Sequence, residues 1–231
     1  MSRVGGGMGP DSQLGQVVET SDLPGEFSDR VIEAFHARMD DTFAIALSGA
    51  KGVERCYRRL AELGAREIDW WMVDVYWTED RCVPRDHPGS SYRVVMENLL
   101  ERVGAANALY PMDCSSGPHD YQLRLADLGR LDVVVVSLQP DGSIAGIAPG
   151  SPAARPDQSS LVSHGPFGPD GSEMLTLTTA GLSRARLLIC LVSGAEARRA
   201  FDTLCSGRDD PPFPARNIRP GQTLWMLDSA S

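Results

Sequence analysis

The sequence predicts an α/β protein with a mainly parallel, doubly wound central sheet that carries helices on both faces. Two observations lead to this prediction. Short apolar segments recur along the chain, and between them apolar residues repeat with the period of an amphipathic helix. Segments that read as continuous apolar runs are typical of strands in parallel sheets, which are buried on both faces.

Four segments have the helical pattern. In the first, Phe27, Val31, Phe35 and Met39 recur at every fourth position, which places one apolar stripe along a helix. The predicted helices cover residues 26–39, 53–63, 91–103 and 195–204. Strands and helices that alternate in this way are typical of a parallel sheet with crossover helices.

The predicted strands are short, and most are apolar throughout. The segment from Leu131 to Val136 is rich in β-branched valine, which favours a strand. The predicted strands cover residues 42–47, 71–77, 131–136, 187–192 and 223–227, with 174–178 as a further candidate. We expect the first four of these segments to form the buried centre of the sheet.

The chain is expected to form one α/β domain over residues 21–231. Residues 1–20 are Gly-rich and polar and have neither period, so we expect a mobile N-terminal tail. Residues 150–175 are rich in Pro, Gly and Ser, which indicates a long surface loop.

The charge balance limits the class of partner. The 231 residues carry 22 Lys and Arg against 31 Asp and Glu, a formal net charge of −9. This balance argues against nucleic acid or an anionic membrane surface as the main partner. The chain begins without the apolar run of a signal peptide and lacks an apolar stretch of membrane-spanning length, so we expect a soluble, cytoplasmic protein.

The cysteines predict neither a disulfide framework nor a metal site. The chain has five, Cys56, Cys82, Cys114, Cys190 and Cys205, with no C-x-x-C pair and no histidine at zinc-ligand spacing. We therefore expect reduced thiols, most of them buried.

Three loops that follow predicted strands hold residues able to bind an anion. In an open parallel sheet, ligands bind outside the carboxyl ends of the strands, so these loops are expected to meet at one edge. The first loop leads into a helix and consists of Ser48, Gly49, Ala50, Lys51 and Gly52. Its glycines permit close backbone approach, and the helix start offers N–H groups to a phosphate. An ordinary strand-to-helix turn is the alternative interpretation.

The other two loops carry charge. Glu79 and Asp80 can supply an acid or a base, and Arg81 offers a planar fork that matches a phosphate or carboxylate. The third loop contains Asp141 and Ser143 and has the composition of a turn. The alternative interpretations are a solvated charge cluster for the second loop and a simple turn for the third.

Five fragments occur in the order in which one family carries its motifs. Residues 77–84 read WTEDRCVP and are followed by Asp86-His87 and by SSY at residues 90–92. The shorter fragments are LSG at residues 47–49, PDG at 140–142 with PGSP at 149–152, VSG at 192–194 and LWMLD at 224–228. Together they resemble the 6-phosphogluconolactonase family, which shares its Rossmann-like fold with the glucosamine-6-phosphate isomerases and deaminases.

The resemblance implies a hydrolase that converts 6-phospho-D-glucono-1,5-lactone to 6-phosphogluconate in the pentose phosphate pathway. It also implies a small sugar phosphate as the partner, and no metal or organic cofactor. The candidate substrate- and phosphate-binding residues are Ser48, Gly49, Ala50, Lys51, Gly52, Glu79, Asp80, Arg81, Gly142 and Arg198. The candidate catalytic residues are Asp141 and Ser143.

The sequence departs from the family pattern at the expected base. Ser143 stands where the family's D-G-H motif has its histidine, thought to be the acid/base residue. A serine hydroxyl does not accept a proton near neutral pH as an imidazole does. Asp141 is therefore the substitute base in this interpretation, with His119 or His164 as loop histidines that could fold over the site.

Three hypotheses stay open at this stage. The first is an active, divergent 6-phosphogluconolactonase. The second is a non-catalytic relative that binds a sugar phosphate or a protein partner. The third is a member of the isomerase and deaminase branch, although the stretch from Trp77 to Pro84 favours the lactonase branch.

Overall fold

The computed structural model describes residues 14–155, 159–165 and 171–229. Its strands, in chain order, are β1 (Gln16–Thr20), β2 (Phe43–Leu47), β3 (Val73–Trp77), β4 (Glu79–Arg81), β5 (Ala108–Tyr110), β6 (Leu131–Ser137), β7 (Val162–Gly165), β8 (Met174–Leu177), β9 (Ala185–Val192) and β10 (Gln222–Asp228). Seven of them form a parallel sheet in the order β1-β10-β9-β6-β2-β3-β5. The predicted fold class is confirmed.

The helices are α1 (Leu23–His36), α2 (Glu54–Glu67), α3 (Ser91–Val95), α4 (Glu101–Val103), α5 (Pro118–Leu128), α6 (Thr179–Leu182) and α7 (Ala195–Ser206). A π-helical turn, Met96–Leu100, joins α3 to α4, so residues 91–103 are helical throughout. Short 3₁₀ turns cover Trp70–Met72, Pro152–Ala154 and Pro214–Asn217.

The direction of the connections places helices on both faces of the sheet. From β2 the chain moves outward to β3 and β5, and it then returns to the other side of β2 to form β6. Right-handed crossovers therefore put α1 and α2 on one face and α5 and α7 on the other. The strand order reverses between β2 and β6, and ligands in such sheets bind at this reversal, outside the carboxyl ends of the strands.

A small second sheet lies beyond the carboxyl end of β3. It is antiparallel, has the order β4-β8-β7, and pairs Arg81 with Met174. The chain enters it at once, because only Thr78 separates β3 from β4.

The centre of the parallel sheet is buried, as its continuous apolar segments predict. Every residue of β2, β3 and β6 is buried, and so are the last five of β9. At the edge, β1 is half exposed. None of the described helices has both the length and the apolar character needed to cross a membrane.

Several local predictions need correction. Residues 16–20, which the sequence analysis assigned to the tail, form β1 because they pair with β10 along their whole length. The strand expected from Trp71 begins at Val73, after a 3₁₀ turn. The helix α5 was not predicted, and the segment 150–175 contains β7 and the start of β8 rather than loop alone. His119 lies in α5 and His164 in β7, so neither is in a loop.

The contrast between core and surface leucines is testable with a matched pair of helical positions. Leu60 in α2 is 0% exposed, whereas Leu123 in α5 is 50% exposed. Leu60→Ala should lower the free energy of unfolding by about 2–5 kcal/mol, because it leaves a cavity in the core. Leu123→Ala should change it by about 1 kcal/mol or less. Urea denaturation measures both, and equal losses would contradict the assignment of α2 to the core.

Candidate active site

A buried carboxylate holds the loop after β2 against the exit of β3. Glu79 is 3% exposed, and its Oε1 accepts hydrogen bonds from the Ser48 hydroxyl at 2.7 Å and from the Gly49 N–H at 2.9 Å. The Thr78 hydroxyl donates to its Oε2. Burial raises the pKa of Glu79 to about 7, although these three hydrogen bonds act in the opposite direction. Glu79 therefore fixes the backbone that the sequence analysis assigned to phosphate binding.

The neighbouring carboxylate holds the start of α3. Asp80 Oδ1 accepts from the N–H groups of Ser91 at 2.7 Å and Arg81 at 2.9 Å, and its Oδ2 accepts from the N–H of Tyr92 at 3.1 Å. Burial raises the pKa of Asp80 to about 6, again against the effect of these donors. An acidic group at a helix start satisfies N–H groups that have no partner within the helix. The two acidic residues thus serve as ties inside the protein.

The two ties bring the loop after β2 into contact with α3. A Cβ atom placed on Gly49 would lie 2.2 Å from Ser91 Cα, so no other residue fits at this position without movement of the backbone. Farther along the same loop, a Cβ on Gly52 would lie 3.6 Å from the Ser193 side chain, which follows β9. The glycine-containing loop therefore spans the carboxyl ends of the central strands, as its sequence predicts. Ala50 is half-buried and Lys51 is exposed there.

Arg81 lies at a cavity of about 360 Å³ beside this edge of the sheet. The cavity is formed by β4, by the loop that follows it and by the loop after β5, and it also receives Arg85 and Asp113. The Arg85 guanidinium lies 4.7 Å above the centre of the Tyr92 ring. The loop of residues 48–52 does not line this cavity, although the hydrogen bonds of Glu79 and Asp80 connect the two.

A larger cavity, of about 670 Å³, lies at the opposite end of the sheet. It is lined by residues at the amino ends of β6, β9 and β10, among them Asp132 and Arg186. We take the smaller cavity as the candidate site, because ligands bind at the carboxyl ends of such strands and Arg81, from the second predicted loop, lines it.

The turn after β6 carries the two residues predicted to be catalytic. The Ser143 hydroxyl donates to Asp141 Oδ1 at 2.6 Å, and the Ser143 N–H donates to the same oxygen at 3.0 Å. Asp141 is exposed and Ser143 is half-buried. Gly142, between them, has φ of +83°, and a Cβ there would lie 2.4 Å from the Phe213 ring. Glycine is therefore required at this position.

The small sheet connects this turn with Arg81. Thr176 in β8 donates from its hydroxyl to the carbonyl of Ala145, which lies just after the turn. On the other side, β8 pairs with β4, and Met174 is the partner of Arg81. The two loops are thus held to one framework, although the sequence separates them by about sixty residues.

Arg198 is placed in a different environment. Its guanidinium pairs with Glu19 of β1 at 2.9 Å and with Asp202 of its own helix at 3.4 Å. These contacts lie at the edge of the sheet where β1 ends. The structure therefore gives Arg198 two carboxylate partners, and it does not line the cavity that holds Arg81.

The expectation of reduced thiols is wrong for two of the five cysteines. Cys82, directly after Arg81, forms a disulfide with Cys114 in the loop after β5, and both residues line the cavity. His164 Nε2 lies 3.6 Å from Cys82 Sγ. One potential ligand atom of each of these three residues lies within 4.8 Å of the other two. Among the described residues, they are the cluster whose side-chain types can bind a metal ion. Sequence spacing could not identify it, because the three come from separate loops and strands.

The fold is that of a doubly wound α/β protein, with its candidate site outside the carboxyl ends of the parallel strands. The family model for glucosamine-6-phosphate isomerases and 6-phosphogluconolactonase matches residues 19–225, so the chain belongs to this family. A curated relative from Synechocystis named 6-phosphogluconolactonase is 29% identical over 215 residues, which is 86% of each chain. One from Nostoc with the same name is 28% identical and covers 82% of this chain and 83% of its own.

Solved structures show the same fold. The 6-phosphogluconolactonase from Trypanosoma cruzi aligns with a TM-score of 0.80 at 21% identity, covering 94% of this chain and 95% of that one. A monomeric glucosamine-6-phosphate deaminase aligns with a TM-score of 0.76 at 15% identity, covering 93% and 98%. Both branches of the family therefore share this architecture.

The raised pKa of Glu79 predicts a specific dependence of stability on pH. Between about pH 4.5 and 7 the folded protein retains a proton that the unfolded chain has lost, so stability falls as the pH rises through this range. Glu79→Gln retains an acceptor oxygen for Ser48 and Gly49 but has no charge to bury. We expect a shallower fall for this variant in urea denaturation at pH 5, 6 and 7.5.

The matched control for this measurement is Glu67→Gln, at an exposed position of α2. It should leave the slope of stability against pH unchanged. If stability fell with pH at the same slope in Glu79→Gln and in the unmodified protein, the assignment of Glu79 as a carboxylate whose charged form is disfavoured by burial would be contradicted.

Proposed function

We propose that this protein is a 6-phosphogluconolactonase that hydrolyses the internal ester of a phosphorylated sugar lactone, and that it acts in the cytoplasm. The observation that carries the proposal is Arg81 in the lining of the 360 Å³ cavity, directly after the buried pair Glu79 and Asp80, with its backbone N–H donating to Asp80 Oδ1. Membership of the family and the names of the curated relatives support the same reaction.

In this proposal the phosphate binds between Arg81 and the start of α2. The guanidinium of Arg81 can form two parallel hydrogen bonds to phosphate oxygens, which fixes the orientation of the substrate as well as its position. In the loop before α2, the N–H groups of Gly49, Ala50 and Gly52 already donate to Glu79, Ser48 and Glu54. The exposed Lys51 is therefore the donor that we expect this loop to add. Local positive charge is needed because the chain as a whole carries −9 and repels anions at long range.

The chemical step needs a base for water, and Asp141 is our candidate. Both hydrogen bonds from Ser143 end on Oδ1, and Asp141 is exposed, so the carboxylate keeps acceptor capacity for a water molecule. Water would attack the lactone carbonyl and lose a proton to Asp141. The bond between the carbonyl carbon and the ring oxygen then breaks, and the ring oxygen takes this proton from Asp141, which returns to its carboxylate form. Ser143 positions this carboxylate and would not act as the base itself.

The alternative is a relative that binds a sugar phosphate without turning it over. Ser143 in the place of the family's histidine favours this alternative, because loss of one positioned base costs about 100- to 10,000-fold in rate. The two proposals differ in catalysis and agree on the ligand, so binding and turnover need separate measurements.

Replacement of Arg81 tests the binding part. Arg81→Ala should weaken binding of 6-phosphogluconate by about 1.5–3 kcal/mol, which is about 10- to 150-fold in Kd, the scale of a charge-assisted hydrogen bond. Isothermal titration calorimetry measures the affinity. Arg59→Ala, on the exposed face of α2, is the matched control and should bind as the unmodified protein does. Equal affinities for all three proteins would place the phosphate elsewhere.

Two substitutions in the turn after β6 test the catalytic part. Ser143→His restores an imidazole where the family has one and should raise lactone hydrolysis by about 100-fold or more. Asp141→Asn should abolish whatever turnover the unmodified protein has above spontaneous hydrolysis. The opening of freshly prepared 6-phosphogluconolactone is followed for all three proteins. If the unmodified protein and Ser143→His are both inert while 6-phosphogluconate still binds, the non-catalytic alternative is correct.

A further inference from the structure

The half-exposed disulfide at the cavity is a second feature with its own chemistry. We propose that Cys82 and Cys114 are a reversible thiol modification site, which exchanges with low-molecular-weight thiols and disulfides and alters ligand binding at Arg81. The part that concerns ligand binding rests on the function proposed above, whereas the exchange chemistry does not.

The position of the pair favours exchange. Both cysteines are only half-buried and line an open cavity, so a small thiol can reach the sulfur atoms. Their Cα atoms lie 5.4 Å apart, within the ordinary range for a disulfide. The bond joins two loops that are separated by 32 residues in the chain. Oxidation and reduction can therefore tether and release the loop after β5 without disturbing the central sheet.

The neighbouring histidine favours a reactive thiol at Cys82. His164 Nε2 lies 3.6 Å from Cys82 Sγ and 3.2 Å from a carboxylate oxygen of Glu173. An imidazole beside a thiol stabilises the thiolate, which is both the attacking and the leaving form in disulfide exchange. We therefore expect Cys82 Sγ to be the sulfur that attacks a small disulfide, and the one that a small thiol attacks when the protein disulfide is reduced.

Two other cysteines show the opposite environment. Cys56 and Cys190 are fully buried, and burial raises the pKa of Cys56 to about 12 and that of Cys190 as well. Thiols in such surroundings are inert. Among these four cysteines, reactivity is therefore expected at the pair that lines the cavity, and Cys56 and Cys190 provide internal controls within the same chain.

The exchange needs no oxidant other than a small disulfide. A disulfide of the glutathione type is attacked by the Cys82 thiolate, which gives a mixed disulfide and releases one small thiolate. Cys114 then attacks the mixed disulfide at the Cys82 sulfur, forms the protein disulfide and releases the second. Two protein thiols are oxidised, the small disulfide is reduced to two thiols, and excess thiol reverses both steps.

Release of the loop after β5 changes the wall of the cavity. This loop carries Met112, Asp113 and Ser115 into the lining, opposite Arg81 and Arg85. The disulfide holds the loop in place before a ligand arrives, so the reduced protein must order it on binding. Ordering a few side chains lowers the affinity by about 3- to 10-fold, and we expect this difference between the oxidised and reduced forms.

The exchange is tested on the full chain in buffers of reduced and oxidised glutathione at defined ratios, with alkylation and mass spectrometry. We expect one disulfide, between Cys82 and Cys114, to form and break reversibly, while Cys56 and Cys190 stay reduced. Cys114→Ser should accumulate a mixed disulfide on Cys82. His164→Gln should slow the exchange by about threefold, because it removes the imidazole that favours the Cys82 thiolate, while the higher nucleophilicity of a more basic thiolate offsets part of the loss.

Three results would overturn the modification site: thiols that remain unoxidised at every ratio, a disulfide that resists excess glutathione in the folded protein, and a reduced pair that holds Zn²⁺ through dialysis with His164 and is thereby protected from exchange. Circular dichroism of each variant verifies that it is folded.

Calorimetry with 6-phosphogluconate on both redox forms tests the coupling to the cavity. The oxidised form should bind 3- to 10-fold more tightly, and equal affinities would overturn the coupling. If neither form binds the ligand while the exchange proceeds as expected, the proposed function fails and the modification site stands. Cys82→Ser combined with Cys114→Ser should bind as the reduced form does in either buffer.

Discussion

The burial of two adjacent carboxylates is the constraint on which the candidate site depends. An ionised carboxylate in a dry environment is costly unless several donors surround it. Glu79 accepts two hydrogen bonds from the loop after β2, and Asp80 accepts two from N–H groups at the start of α3. A neighbouring residue, Thr78 or Arg81, adds a further donor to each carboxylate. The need to satisfy these groups forces the loop after β2 and the start of α3 to meet at the exit of β3. Removal of either carboxylate would leave donors of one of these two segments without their acceptor.

The order of the pair, glutamate before aspartate, has a geometric consequence. Successive side chains in an extended segment point to opposite sides, so the two carboxylates reach different partners. The longer side chain of Glu79 reaches back to Ser48 and Gly49, and the shorter one of Asp80 contacts N–H groups at the helix start directly after Ser90. Arg81, the next residue, then lies at the cavity. The three residues that look like a charged surface run in the sequence are two buried carboxylates that hold other segments in place, followed by one cation that lines the cavity.

The small antiparallel sheet gives this arrangement its second support. It pairs β4 with β8, and β8 holds the segment after the Asp141 turn through Thr176. Cys82 directly follows β4, so the cavity wall that contains the Cys82–Cys114 pair is held by β8 through its pairing with β4. The same strand holds the segment after the proposed base, Asp141, through the side-chain hydrogen bond of Thr176.

The sequence by itself determined the fold class and the central strands and helices, because burial on both faces gives continuous apolar runs and helices give a regular stripe. It did not identify β1 or α5, since the half-exposed edge strand and the largely polar helix lack a strong period. The motif from Trp77 to Pro84 identified the segment that lines the candidate cavity. Only the tertiary structure decided that Glu79 and Asp80 are buried ties, that Arg198 pairs with Glu19, and that Cys82 meets Cys114 and His164. These facts depend on contacts between distant segments and on the desolvation of particular atoms, and neither leaves a periodic signal in the local sequence.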